Sequence, residues 1–202
     1  MTDLDRALAD IVEIRSRLAL SSTFLGLGPA ALAGSGVLAF GVALAQSLLP
    51  GTSDPLAYFA AWVATAMASC GLIGGEMLRR AERHHGGLAD QMIREAMLHF
   101  VPAGVAGAAL LAFFARFAPA DLWMLPGLWL VLVSLGIFAA SRSLPRAMPL
   151  AGAWYFVCGF AVLLLAAEDH ALSPWLMGLP FAIGQLLVAS IVHRAGEADN
   201  VG

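Results

Sequence analysis

Six long apolar runs leave this chain few ways to fold. They cover about residues 24–49, 56–78, 98–116, 122–141, 148–167 and 175–193, each bounded by charge, proline or glycine. A bilayer's hydrocarbon core is about 30 Å thick, so a spanning helix needs about 20 mostly apolar residues at about 1.5 Å rise each. Every run is near that length. The predicted class is therefore all-α: a polytopic membrane bundle of six transmembrane helices, with residues 1–202 forming one integral membrane domain. Composition agrees, because 12% of residues are charged and 60% hydrophobic, whereas soluble domains carry about 25% charge.

The first run does not read as a cleavable signal peptide. Asp3, Asp5, Asp10 and Glu13 precede it, and a signal peptide opens with a short basic region. Orientation follows from arginine, since the 11 basic residues include no lysine. With six spans and both ends on one side, that side holds every arginine except Arg116. Positive residues accumulate on the cytoplasmic side, which places both termini there. The outer loops then carry Asp54, Asp121, Glu168 and Asp169. The arginines sit in short clusters beside the spans, so the chain offers no basic face for a nucleic acid. Cys70 and Cys158 fall inside the second and fifth runs, where no structural disulfide is expected; they read as small packing residues.

Two segments look amphipathic. Residues 3–20 place Leu4, Leu8, Ile11 and Leu18 at helical spacing, with Asp3, Arg6, Asp10, Glu13 and Arg17 largely elsewhere. This predicts a helix lying on the cytoplasmic leaflet or against the protein. The second segment falls within the cytoplasmic connection 79–97, where Leu88, Met92 and Ala96 continue in register to Phe100. "HHGG" interrupts that connection, which predicts two helical pieces hinged at Gly86-Gly87.

A phrase also recurs. "PAALAGSGVLAF" at 29–40 and "PAGVAGAALLAF" at 102–113 share seven of twelve residues in register. Each follows an amphipathic segment and opens on a proline, predicting a bend at the membrane entrance. Each also carries small residues four apart, Ala30 with Gly34 and Ala103 with Gly107. Such pairs let helix backbones approach closely, which matters in lipid, where apolar burial gives little drive. The expectation is tandem two-span repeats in one orientation, each with a helix-packing face.

The interiors of the spans exclude some functions. No Asp, Glu, Lys, Arg or His lies near the middle of any run, although such groups mark proton relays and ion pathways. Gln185, Tyr155 and Ser134 are the polar residues that could line a path for a small neutral or amphiphilic solute. Gln185 equally suits an interhelical hydrogen bond. His99 opens the third span and His193 closes the sixth. At matching depth they could supply the axial pair of a b-type haem, or simply keep their rings in the headgroups. Glu76, Glu82, His84 and His85 give only a weak metal pattern, with no i,i+4 pair, so no metal is expected. Arg116 could pair with Asp121 or a lipid phosphate. Tyr58, Trp123 and Trp175 read as an outer aromatic belt. Catalytic motifs are missing, so no catalytic residue is assigned and no enzyme is expected.

The stretch "LPGLWLVLVSLGIFAASRSLPRAMPLAGAWYFVCGFAVLLL", together with "LADIVEIRSRLAL" running into a glycine-rich first span, resembles a group of uncharacterised six-span bacterial inner-membrane proteins. Members are often encoded beside a small winged-helix regulator. The resemblance implies an inner-membrane location and a signalling or stress role, and supplies no site residues. Together these readings predict a non-enzymatic subunit or sensor that packs with itself or a protein partner in membrane lipid. A solute carrier and a haem-binding cytochrome or redox sensor are the alternatives.

Overall fold

The computed structural model describes residues 28–49, 54–83, 87–141 and 144–201. Six helices carry the architecture: α1 (Pro29–Leu48), α2 (Pro55–Arg83), α3 (Gly87–Phe117), α4 (Leu125–Ala140), α5 (Met148–Ala166) and α6 (Pro174–Val201). A 3-10 helix at Pro119–Met124 joins α3 to α4, and no strand occurs among the described residues. All six helices are long and apolar enough to cross a membrane. The chain is a multi-pass helical membrane protein.

Proline explains most of the helix starts. It opens α1, α2 and α6 at Pro29, Pro55 and Pro174, and it lies at the start of α4 and α5 as Pro126 and Pro149. A first-turn proline loses no hydrogen bond, since that amide has no helical partner. Asp54 caps α2, its two carboxylate oxygens accepting from the amides of Leu56 at 3.2 Å and Ala57 at 3.3 Å. In α3, by contrast, Pro102 lies inside one continuous helix. The two copies of the repeated phrase thus occupy different places: one starts its helix, and the other lies mid-helix.

Neighbouring helices run antiparallel. Gly34 of α1 lies beside Leu72 of α2, Gly107 of α3 beside Trp129 of α4, and Gly36 of α1 beside Gln185 of α6. The closest pairings are α1 with α6 and α4 with α5. Gly127 of α4 and Gly159 of α5 face each other so closely that a Cβ on either would come within 3 Å of the other's carbonyl oxygen. Gly178 of α6 packs on the methyl group of Ala43 of α1, where an added Cβ would clash. Without a hydrophobic drive between helices in lipid, this backbone-to-backbone contact supplies the dispersion energy of the bundle.

Two apolar clusters fill the interior. One joins α1, α4, α5 and α6 through Leu32, Ile137, Met148, Ala151, Tyr155 and Val188. The other lies toward the end away from the chain termini and joins Ala43, Tyr58, Phe59, Trp62, Leu125 and Met177. Leu110, Leu111 and Phe114 of α3 pack on that second cluster. Tyr58 is therefore a core residue at 1% exposure. Its hydroxyl donates to the Ser173 carbonyl at 3.3 Å, so it does not belong to a lipid-facing belt.

Several expectations fall outside what is described. The segment 3–20 lies outside the described residues, as do His84, His85 and Gly86. The side chains of 80–83 and 87–97 do too. Helix α2 ends at Arg83, and Gly87, the second residue of the anticipated hinge, is the first residue of α3.

Candidate functional site

The polar residues of the interior gather where α5 meets α6. Pro180 sits inside α6, where it cannot donate to the carbonyl one turn earlier. The two carbonyls that follow are held by α5. Trp154 Nε1 donates to the Pro180 carbonyl at 3.0 Å, and the Tyr155 hydroxyl donates to the Phe181 carbonyl at 3.4 Å. Tyr155 is fully buried and edge-on to Phe181, with ring centroids 5.6 Å apart. Gly184 makes room for it; any Cβ there would strike the phenol ring. The Gln185 side chain lies against the Tyr155 hydroxyl, and the Gln185 Cβ is in turn close to Gly36 of α1. Three helices thus meet around Tyr155 and Gln185.

Ser134 of α4 behaves unlike other hydroxyl residues here. Ser35, Ser47, Thr65, Ser141 and Ser190 each donate to a carbonyl one turn earlier, at 2.7 to 2.8 Å, the usual way a helical hydroxyl is satisfied. Ser134 is fully buried, and its Oγ has no partner among the described residues. The Oε1 of Gln185 is likewise buried without one. An unsatisfied buried polar atom costs about 1 to 3 kcal/mol. Of the three residues read from the sequence as a solute path, Tyr155 and Gln185 therefore touch each other, and Ser134 and Gln185 keep unused hydrogen-bonding capacity.

Of the histidine pair, only His193 has a described side chain. His193 is exposed on α6, with Nε2 3.4 Å from Glu197 Oε1 on its own helix. His99 falls within α3, and its side chain lies outside the described residues. No group of three metal-binding side chains occurs among the described residues, and the pattern at Glu82, His84 and His85 lies outside them. Cys70 is exposed on α2 rather than packed, and Cys158 is half-buried; both are free thiols. Arg116 stacks over the Phe117 ring at 5.4 Å, a cation–π contact at the membrane edge.

The small residues of the repeated phrase have distinct surroundings. Gly107 is buried, and Trp129 Nε1 donates to its carbonyl at 3.1 Å. Ala103 is half-buried near Gly136 of α4. Gly34 and the exposed Ala30 border a cavity of about 380 Å³ between α1 and α2. Its walls are Ala31, Gly71, Leu72 and Gly75, with Glu76 and Arg79 at the end nearest the chain termini. This cavity was not foreseen, although the run "GLIGGE" was its signal in the sequence.

At the opposite end, Trp123 of the 3-10 helix stacks on His170 of the α5–α6 loop, centroids 4.6 Å apart and planes 20° from parallel. His170 takes a left-handed φ of 54°, uncommon for a residue with a Cβ.

No family model, no curated protein and no solved structure matches the chain. The fold and its interior define the class: a six-helix multi-pass membrane protein with a sparse polar interior.

Proposed function

We propose that the chain is a non-enzymatic subunit or sensor of a bacterial inner membrane, with both termini cytoplasmic, that assembles with a second copy or a protein partner through the flank formed by α3. The ten-to-one arginine distribution supports the orientation. One observation carries the assembly reading. Only 6% of the Phe100–Phe117 stretch is buried within the chain, against 44% of the corresponding stretch of α6. On the uncovered face Val101, Val105 and Ala108 are exposed, and a Cβ at Gly104 would meet nothing within 4 Å. That bare backbone is the surface a second helix needs for close approach.

Native mass spectrometry from mild detergent tests the reading. A discrete oligomer of the wild-type chain that reverts to monomer in Gly104→Leu, with unchanged thermal unfolding of the monomer, is the expected result. A wild-type chain that stays monomeric and captures no partner sinks it.

The second reading, a carrier for a small neutral or amphiphilic solute, draws on the unpartnered Gln185 Oε1 and Ser134 Oγ. It requires solute flux in proteoliposomes that Gln185→Ala abolishes. A broad transport screen without any flux removes it.

A further inference from the structure

The turn that ends α5 closes on a residue poorly suited to its backbone. The amide of His170 donates to the Ala166 carbonyl at 2.9 Å, and its φ is 54°. Glycine usually fills such a left-handed position at a helix end, because it has no Cβ to strain. Histidine visits this region more often than most residues, yet glycine would sit there at lower cost. Backbone outliers persist where their surroundings over-determine them. Here the side chain supplies the reason, since the imidazole lies nearly flat on the Trp123 indole, centroids 4.6 Å apart.

The two rings are held differently. Trp123 belongs to the 3-10 helix that joins α3 to α4 and is half-buried, with its Nε1 shielded from solvent. His170 is exposed, so a proton reaches it from water. In the same loop, the Ser173 carbonyl accepts from the Tyr58 hydroxyl of α2. The loop thus fastens to the α3–α4 turn through His170 and to the start of α2 through Ser173.

We propose that the Trp123–His170 stack is a pH-sensitive clasp at the end of the bundle remote from the chain termini, tightened when His170 takes up a proton. Histidine is the side chain whose charge ordinarily changes between about pH 5 and about pH 8. A neutral imidazole contributes stacking alone. An imidazolium adds attraction to the negative face of the indole, the ring that binds cations best.

The charged groups on the elements that meet there are Asp121 of the 3-10 helix, Glu168 and Asp169 of the loop, Asp54 before α2 and Arg116 of α3; α1, α4, α5 and α6 bring none to this end. None of them forms an ion pair with His170 among the described residues, so the indole is the partner that feels the proton. The added attraction is present at low pH, where His170 is charged, and is lost as the pH rises. This clasp requires neither assembly through α3 nor a solute in the interior.

Tryptophan emission of the full chain in lipid nanodiscs, read at about pH 8 and about pH 5, tests it. The share of Trp123 is the difference between the wild type and Trp123→Leu. A cation held on the face of an indole lowers its emission, so this share is expected to fall at least about twofold on acidification. In His170→Asn, whose side chain cannot charge and tolerates left-handed backbone, the share measured against the double variant should stay level. No fall in the wild type, or an equal fall in His170→Asn, would overturn the proposal. Thermal unfolding separates a clasp from an idle stack. Acidification should raise the wild-type midpoint by about 1 to 4 °C relative to its effect on His170→Asn or on Trp123→Leu. Equal shifts in the wild type and Trp123→Leu would overturn the clasp even if emission responds, and that comparison stands where His170→Asn does not fold.

Discussion

The α4–α5 pair and the α3 flank are built from the same small and apolar vocabulary, yet they pack in opposite ways. In the pair, Gly127 and Gly159 bring two backbones into direct contact, and Gly152 receives the ring of Phe138. In the flank, a Cβ at Gly104 would meet nothing within 4 Å, and its neighbours Val101, Val105 and Ala108 are exposed. What separates them is not composition. It is whether a glycine faces another helix across the interface, since in lipid only that close fit distinguishes protein contact from contact with acyl chains. A glycine whose missing side chain is filled by a neighbour is structural, and one that faces open space is available.

Substitutions should separate these two kinds of glycine. The largest effect belongs to Gly127→Leu or Gly159→Leu, because the opposing atoms include a backbone carbonyl and cannot move aside. A loss of about 3 kcal/mol or more, or failure to give a monodisperse protein, is expected by thermal unfolding followed through tryptophan emission. Retention of wild-type stability would show that the pair is not the anchor of the bundle. Gly107→Leu comes next, costing about 1 to 3 kcal/mol, since the Trp129 indole can give but its bond to the Gly107 carbonyl is lost. Tyr155→Phe removes a long hydrogen bond at 3.4 Å to the Phe181 carbonyl and the contact with Gln185, and interhelical bonds in membranes average about 0.6 kcal/mol. A loss well above 1 kcal/mol would give the Tyr155 hydroxyl a second role. Smallest is Ser134→Ala, expected to be neutral or stabilising by up to about 1 kcal/mol, because it removes an unsatisfied hydroxyl. Clear destabilisation would mean that Ser134 has a partner when the protein sits in lipid.

The fold was legible because the dominant constraint is local. Each span satisfies its own backbone hydrogen bonds and declares its length in apolar residues, so the six runs and the six helices correspond, with the sixth span predicted at 175–193 and observed inside Pro174–Val201. What stayed hidden is non-local. The pairing of α1 with α6 joins the two ends of the chain, and no pattern within either helix announces it. Gly127 and Gly159 were missed for the same reason: neither stands four residues from another glycine, so their match exists only across the interface. The candidate polar site was half legible. Tyr155, Gln185 and Ser134 stood out as polar residues in apolar runs, but Trp154, Gly184 and Pro180 acquire their roles only from the contact between α5 and α6.

Helix α6 has 28 residues, or about 42 Å at 1.5 Å per residue, and so outruns a hydrocarbon core of about 30 Å. Its weakest point is Pro180, close to one end and clamped by Trp154 and Tyr155 of α5. In mechanical terms it is a braced strut: beyond the clamp Val188, Ala189, Ile191 and Val192 are buried in the bundle, so the shaft is held along its length. With the base clamped and the shaft packed, sideways freedom is left only to the exposed turn that carries His193 and Glu197.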